Sequence, residues 1–213
     1  MSLSKTDDPV VSVEKTSEVF EAYQKFLGSA GIHLVGLNIA DLGCAKGVFL
    51  NGLISANHCY GYDISAESVD ECRRRTSPQT ASFDVLDLNE AHLPAENRYH
   101  LITLFDVIEH LSSFTHLKRI IKDNLVTGGH LVVTTPNANS FVRLLGAARL
   151  FSGEADPTHT VLFTPYTLDF FLRRCGLVKV SLSTPYTFYF KNNIVTKSVL
   201  VGGQILAIYK KTS

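Results

Sequence analysis

The chain has no net charge, no cysteine pair at metal-ligand spacing and no apolar run of membrane length. Each absence removes a class of function. Lysine plus arginine and aspartate plus glutamate are equal at 20 each in 213 residues. A neutral chain lacks the electrostatic footprint of a nucleic-acid or anionic-membrane binder. Arg73-Arg74-Arg75 is the one sharp basic cluster, and it reads as a solvated helix face. No stretch reaches the apolar length of a membrane span. Residues 1–9 are polar, without the apolar core of a signal peptide. Cys44, Cys59, Cys72 and Cys175 have no C-x-x-C spacing. They read as reduced small hydrophobes and predict a cytoplasmic protein. The G-x-G-x-x-G fingerprint of a dinucleotide-binding turn is also missing.

What is present centres on Asn38-Ile39-Ala40-Asp41-Leu42-Gly43-Cys44-Ala45-Lys46-Gly47-Val48-Phe49-Leu50. Ile39, Ala40 and Leu42 make a short apolar run that reads as a buried strand ending at Gly43. Phe49, Leu50, Leu53 and Ile54 then change the period to that of a helix. Gly43 and Gly47 bracket the turn. Glycine takes positive φ readily and lets a ligand approach the main chain. The N–H groups that open the helix face that space with the helix dipole behind them, a setting for a carboxylate or phosphate.

Cys59-Tyr60-Gly61-Tyr62-Asp63 reads as a second strand, ending in an acid 20 positions after Gly43. An acid at that distance accepts hydrogen bonds from the two hydroxyls of a ribose, a task that suits an acceptor-only carboxylate. The competing reading has Asp63 capping a helix that begins near Ser65. Residues 81–88 read as a third strand and its outgoing loop. The second informative stretch runs from Tyr99 to Leu111, an apolar strand leading into a loop with Asp106, Glu109 and His110. These three converge only if the segment is helical or tightly turned. Phe105 is placed to lie along a bound nucleoside.

Residues 130–137 predict a strand after the Gly128-Gly129 turn, and 140–151 an apolar helix that could serve as a lid. Thr164 suits an N-cap and Pro165 the first position of a helix that stops at Gly176. Two β-rich runs, 177–183 and 200–210, bracket an aromatic segment at 185–190. Residues 12–27 predict an amphipathic helix that packs on the sheet or caps the ligand. The length fits a single domain over 1–213, with an N-terminal helical extension at 1–30 and a lid insertion at 138–163.

The pattern D-x-G-x-x-x-G of Asp41, Gly43 and Gly47 resembles the first motif of class I S-adenosylmethionine-dependent methyltransferases. Ala45 stands where many members have glycine. The later order is Asp63, Phe105-Asp106-Val107-Ile108-Glu109-His110-Leu111, Gly128-Gly129-His130-Leu131, Thr134-Thr135-Pro136-Asn137, His159 and Phe163-Thr164-Pro165. It resembles the small O-methyltransferases of ubiquinone biosynthesis over about residues 36–180. The resemblance implies a Rossmann-like α/β fold: a doubly wound seven-stranded sheet, mostly parallel, with an antiparallel last strand. It implies S-adenosyl-L-methionine as cofactor, held by Asp41, Gly43, Cys44, Gly47, Asp63, Ile64 and Phe105. Asp84 would bond the adenine amine and the backbone of Val85 a ring nitrogen; Asp87 is a close competitor for Asp84.

The expected reaction is methyl transfer to a small molecule, through an oxygen. His110 is the first candidate for general base, because an imidazole titrates near neutral pH. His159 is the second, with Glu109 beside them. No metal is assigned; Asp106, Glu109 and His110 are the residues that would take a divalent cation. Plainer readings have His110 packing under the next helix, His159 holding the lid and Asp106 capping a helix. No nucleic-acid partner and no membrane span are expected. The acceptor and the oligomeric state stay open. So do a nitrogen, carbon or macromolecular acceptor, a non-catalytic S-adenosylmethionine-binding protein acting through a partner, and a nicotinamide-dependent oxidoreductase.

Overall fold

Asn38–Leu42 forms strand β1, with every side chain from Ile39 to Leu42 buried. A strand covered on both faces is buried along its length in parallel α/β sheets, and here the buried run includes one acid, Asp41. The computed structural model describes residues 13–140, 156–190, 193–198 and 202–213. These divide into two compact units, residues 1–33 and 34–213. The first contains helix α1 (Val13–Ser29). It closes where the Ala30 and Gly31 N–H groups donate to the Leu27 and Gly28 carbonyls at 3.1 and 3.0 Å.

In the second unit, β1 is followed by β2 (His58–Asp63), β3 (Ala81–Val85), β4 (Tyr99–Phe105), β5 (Leu125–Pro136), β6 (Leu177–Ser183) and β9 (Gln204–Lys211). They form one seven-stranded sheet in the order β3-β2-β1-β4-β5-β9-β6. The first five strands run parallel. β9 runs antiparallel to both β5 and β6. This is the doubly wound, mostly parallel sheet with an antiparallel last strand that the family resemblance implies. Strand order reverses between β1 and β4, and ligands of such sheets enter the crevice at the carboxyl ends of the strands there. Leu42, Ile102, Leu104, Leu131, Val133, Ile205 and Ala207 belong to one buried apolar cluster that packs the middle of the sheet.

Helix α3 (Ala66–Arg75) is capped by Ser65, whose hydroxyl accepts the Ser68 N–H at 3.2 Å. Helix α4 (Thr115–Asp123) buries Leu117, Ile120 and Ile121. Helix α5 (Pro165–Arg174) opens as its sequence predicts, with Thr164 in a capping box and Pro165 in the first turn. Of the arginine cluster, Arg73 pairs with Asp70 and Asp84 and Arg75 with Glu71.

Three elements differ from expectation. The helix after the glycine turn is a single turn, α2 (Val48–Asn51). Asn51 and Gly52 are poor helix residues, and Leu53 is buried from the turns that follow. The dipole argument for an anion site there falls with the helix. Second, Gly128-Gly129 lies inside β5 instead of before it; Gly128 at φ 82° interrupts the strand's regular geometry. Third, residues 185–198 hold an antiparallel hairpin of β7 (Pro185–Phe190) and β8 (Asn193–Ser198). The expected lid helix at 140–151 lies, beyond Ser140, outside the described residues.

Gly61 in β2 shows how tightly this sheet face is packed. A Cβ there would sit 2.6 Å from Phe83 Cε1 and 2.9 Å from Cys44 Sγ. Overpacking of this kind costs about 1–3 kcal/mol. Gly61→Ala should therefore unfold at lower urea, whereas Gly203→Ala, with nothing within 4 Å of its Cβ, should not. Equal urea midpoints for the two variants would contradict this packing.

Candidate functional site

At the end of β1 the chain turns through three residues of positive φ, Gly43 at 82°, Ala45 at 44° and Gly47 at 71°. The Gly43 and Cys44 N–H groups both donate to the Tyr62 carbonyl, at 2.7 and 3.0 Å. The Ala45 N–H donates to Asp63 Oδ2 at 2.8 Å, and the Ser65 N–H to Asp63 Oδ1 at 2.8 Å. Asp63 thus ties the turn to the start of α3. Each of its oxygens keeps a lone pair for a further donor. Ser65, not Asp63, is the N-cap. Glycine at 43 also has a reason within the fold: at this φ its Cβ would collide with the Val107 side chain. At Gly47 the crowding comes from Cys72 Sγ at 3.1 Å.

Asp41 is 3% exposed. Thr103 of β4, in register with it, donates to its Oδ1 at 2.6 Å. Burial, with Asp63 nearby, pushes the Asp41 carboxyl up to about 7 against the Thr103 hydrogen bond. The same burial, with Asp41 adding, pushes the Cys44 thiol far up and the Cys59 thiol to about 12. These thiols are inert hydrophobes. Phe105 ends β4 edge-on to Phe49, with ring centroids 4.9 Å apart. Ile64 and Val85 are large apolar side chains left 65% and 49% exposed at the ends of β2 and β3.

Asp84, near the end of β3, carries an exposed ion pair. Its Oδ1 accepts from Arg73 at 2.8 Å, an ion pair with α3. Asp87 lies two residues past the end of β3, where its Oδ1 accepts the Asn89 N–H at 2.8 Å.

A second cluster lies past β4. Asp106 sits at φ 54°. Its N–H reaches the Thr134 carbonyl at 3.1 Å, and Gln204 Nε2 donates to its Oδ1 at 2.8 Å. Val107, not Asp106, precedes the 3₁₀ turn Ile108–His110. Glu109 in that turn is 1% exposed. Its Oε2 accepts from Thr135 at 3.0 Å, while Oε1, buried, has no partner among the described residues. Burial, with Asp106 adding, pushes the Glu109 carboxyl up to about 7. The Glu109 carbonyl accepts the Thr160 and Val161 N–H groups at 2.8 and 3.1 Å. That zipper brings residues 158–161 against the turn. His159 and His110 meet edge-on, with centroids 4.6 Å apart. His159 Nδ1 is also buried without a partner among the described residues.

A cleft of about 290 Å³ is lined by Asp106, Glu109, Pro136, Asp156, His159 and Gln204. His110 is not among the residues lining it. One ligand atom each from Glu109, His110 and His159 lies within 4.8 Å of the others, a set that could hold a cation. His159 therefore takes the place that the sequence reading gave to Asp106. Thr103, Thr135, Thr158 and Gln204 carry no chemical signal of their own in the sequence. They belong to the site because the sheet register and the zipper bring them there.

A family model described as a methyltransferase domain matches residues 15–182. The curated ubiquinone biosynthesis O-methyltransferase of Proteus mirabilis is 24% identical over 134 residues, covering 59% of this chain and 54% of that one. The chain thus spans about half the length of that relative. Among solved structures, an S-adenosylmethionine-dependent methyltransferase from Mesorhizobium loti superimposes with a TM-score of 0.67 at 18% identity, covering 89% of this chain and 98% of that one. The magnesium protoporphyrin IX methyltransferase of Synechocystis, solved with bound S-adenosylhomocysteine, gives 0.64 at 15% identity, with 96% and 90% covered. These likenesses are of fold; the family match covers most of the sequence. The chain belongs to the methyltransferase domain family, a class I methyltransferase by the order of its seven strands.

Proposed function

We propose that this methyltransferase moves the methyl group of S-adenosylmethionine to an oxygen of a small molecule bound in the cleft beside Glu109 and His159. S-adenosylmethionine supplies an electrophilic methyl group on its sulfonium. The residues at the end of β1 fit such a cofactor. Asp63 has lone pairs left for ribose hydroxyls, and the exposed faces of Ile64 and Val85 suit an adenine ring. Asp87 replaces Asp84 as the acceptor for the adenine amine, because Asp84 is engaged by Arg73. Asp41 has a hydroxyl donor but no cationic side chain bonded to it among the described residues. The cofactor ammonium would meet that need.

The observation that carries the oxygen reading is the pair of buried polar atoms left unpaired on one cleft, Glu109 Oε1 and His159 Nδ1. An unpaired buried group costs about 1–3 kcal/mol, and an acceptor hydroxyl can satisfy both. Holding that hydroxyl in line is the largest service the chain performs, up to roughly 7–11 kcal/mol at the limit. Its proton goes to the cluster of Glu109, His110 and His159. The same cluster favours a second reading in which a divalent cation sits on these three residues and holds the oxyanion.

The pH dependence of cofactor binding tests the first half. An ordinary aspartate titrates near 4, and burial in the folded chain pushes Asp41 up to about 7. Its contribution to stability is therefore complete below about pH 4 and lost as pH rises through about 7. A cationic ligand favours the ionised form. Affinity for S-adenosylhomocysteine, which keeps the ammonium, should rise across that window, and Asp41→Asn should flatten the rise. A pH-independent wild-type affinity by calorimetry would remove Asp41 from the site.

The second half is tested with radiolabelled S-adenosylmethionine and a panel of phenols, catechols and sugars. Glu109→Gln and His159→Ala should each cut turnover about 10²- to 10⁴-fold with S-adenosylhomocysteine affinity unchanged. Unaltered turnover in both variants would refute the role of the cleft. Turnover abolished by chelator and restored by Mg²⁺ would select the cation reading; full turnover in chelator would exclude it.

A further inference from the structure

His110 Nδ1 faces two oxygens, the Thr158 hydroxyl at 2.9 Å and the Thr158 carbonyl at 3.3 Å. A carbonyl oxygen can only accept. The hydroxyl owns one proton, and its oxygen lies 2.6 Å from Asp156 Oδ1. The same carboxylate oxygen takes the Thr158 backbone N–H at 2.9 Å. Asp156 is exposed, and the Thr158 hydroxyl and N–H hold its carboxyl below the ordinary range. Near neutral pH it is ionised and can only accept. The hydroxyl proton therefore belongs to Asp156, and the hydroxyl oxygen must accept from His110. Both contacts require the hydrogen on Nδ1. The zipper of Thr160 and Val161 on the Glu109 carbonyl keeps Thr158 in this place.

We infer that Thr158 and Asp156 are positioning residues that fix neutral His110 as its Nδ1–H tautomer, leaving the Nε2 lone pair as its proton-accepting atom. The inference rests on reading Glu109, His110 and His159 as the proton-accepting cluster of methyl transfer. In that step the acceptor oxygen forms its bond to the methyl carbon, and the carbon–sulfur electron pair returns to sulfur. The hydroxyl proton passes to Nε2 by way of Glu109 or His159, which line the cleft and have ligand atoms within 4.8 Å of that of His110. The imidazolium so formed still donates through Nδ1 to Thr158, so the ring need not rotate. The Asp156 carboxylate behind Thr158 balances the new charge. The tautomer of a histidine is set by the hydrogen bond that its other nitrogen makes, and here Thr158 makes it.

The test is long-range proton–nitrogen NMR on protein labelled with ¹⁵N-histidine, at a pH where the imidazoles are neutral. The His110→Gln variant identifies the His110 signals by their disappearance. The wild type should show a protonated, pyrrole-type Nδ1 and a pyridine-type Nε2. Thr158→Val should move His110 toward the Nε2–H form, and Thr158→Ser should restore the wild-type pattern. An Nε2–H tautomer in the wild type would overturn the inference, and so would a Thr158→Val spectrum identical to wild type. Methyl transfer separates the two claims. With an acceptor in hand, Thr158→Val should lower kcat at least tenfold with KM for S-adenosylmethionine unchanged, and Thr158→Ser should recover it. The Nδ1–H signature together with full turnover in His110→Gln would keep the tautomer and sink His110 as base.

Discussion

The carboxylate of Asp63 is the interaction on which the site depends. One oxygen holds the Ala45 N–H of the glycine turn and the other holds the Ser65 N–H at the start of α3. The Tyr62 carbonyl beside it takes two more N–H groups of the same turn. Four backbone donors are thus gathered at the end of β2, and β1 cannot continue straight. The turn instead opens the space above the reversal of strand order. Holding it this way keeps two acids close together. Asp63 raises the Asp41 carboxyl further after burial has raised it. A cation beside Asp41 would favour its ionised form, which is the basis for placing the cofactor ammonium there in the proposed function.

The carboxyl end of β4, beside that of β1, repeats the arrangement with different parts. Glu109 is buried by the 3₁₀ turn, and its carboxyl rises to about 7. Thr135 satisfies one of its oxygens and nothing among the described residues satisfies the other. Buried polar atoms are normally paired; of the three left unpaired among the described residues, two, Glu109 Oε1 and His159 Nδ1, belong to residues lining this cleft and the third, Asn124 Oδ1, lies at the end of α4. Both acids sit at the carboxyl ends of neighbouring strands, Asp41 near the end of β1 and Glu109 four residues past the end of β4. The parallel register of these two strands brings the two acids to the same edge of the sheet.

Much of the fold was legible in the sequence, because strands buried on both faces leave continuous apolar runs. β1, β2 and β4 are each marked by such a run. Thr164-Pro165 marked the start of α5 by capping chemistry alone. The misses have local causes. The helix after Gly47 was overextended because Leu53 and Ile54 keep helical spacing while Asn51-Gly52 ends the helix. Gly128-Gly129 reads as a turn in sequence, yet sheet pairing on both sides carries the strand through it. The hairpin at 185–198 left only an aromatic composition. In the site, Asp84 and Asp87 cannot be ranked by spacing; the Arg73 ion pair on Asp84 is what favours Asp87 in the proposed function. His159 outranks His110 at the cleft wall because the zipper of Thr160 and Val161 to the Glu109 carbonyl carries it there, contacts more than 50 residues apart in sequence. Gln204 on Asp106 is further still, and no sequence pattern announces it.

The central claim is that the turn after β1 receives the adenosine and amino acid portions of S-adenosylmethionine, not a dinucleotide. Equilibrium calorimetry of the wild-type chain with S-adenosylhomocysteine and, separately, with NAD tests it most directly. The account predicts one saturable site for S-adenosylhomocysteine and no heat of binding from NAD. Saturable binding of NAD with none of S-adenosylhomocysteine would contradict it.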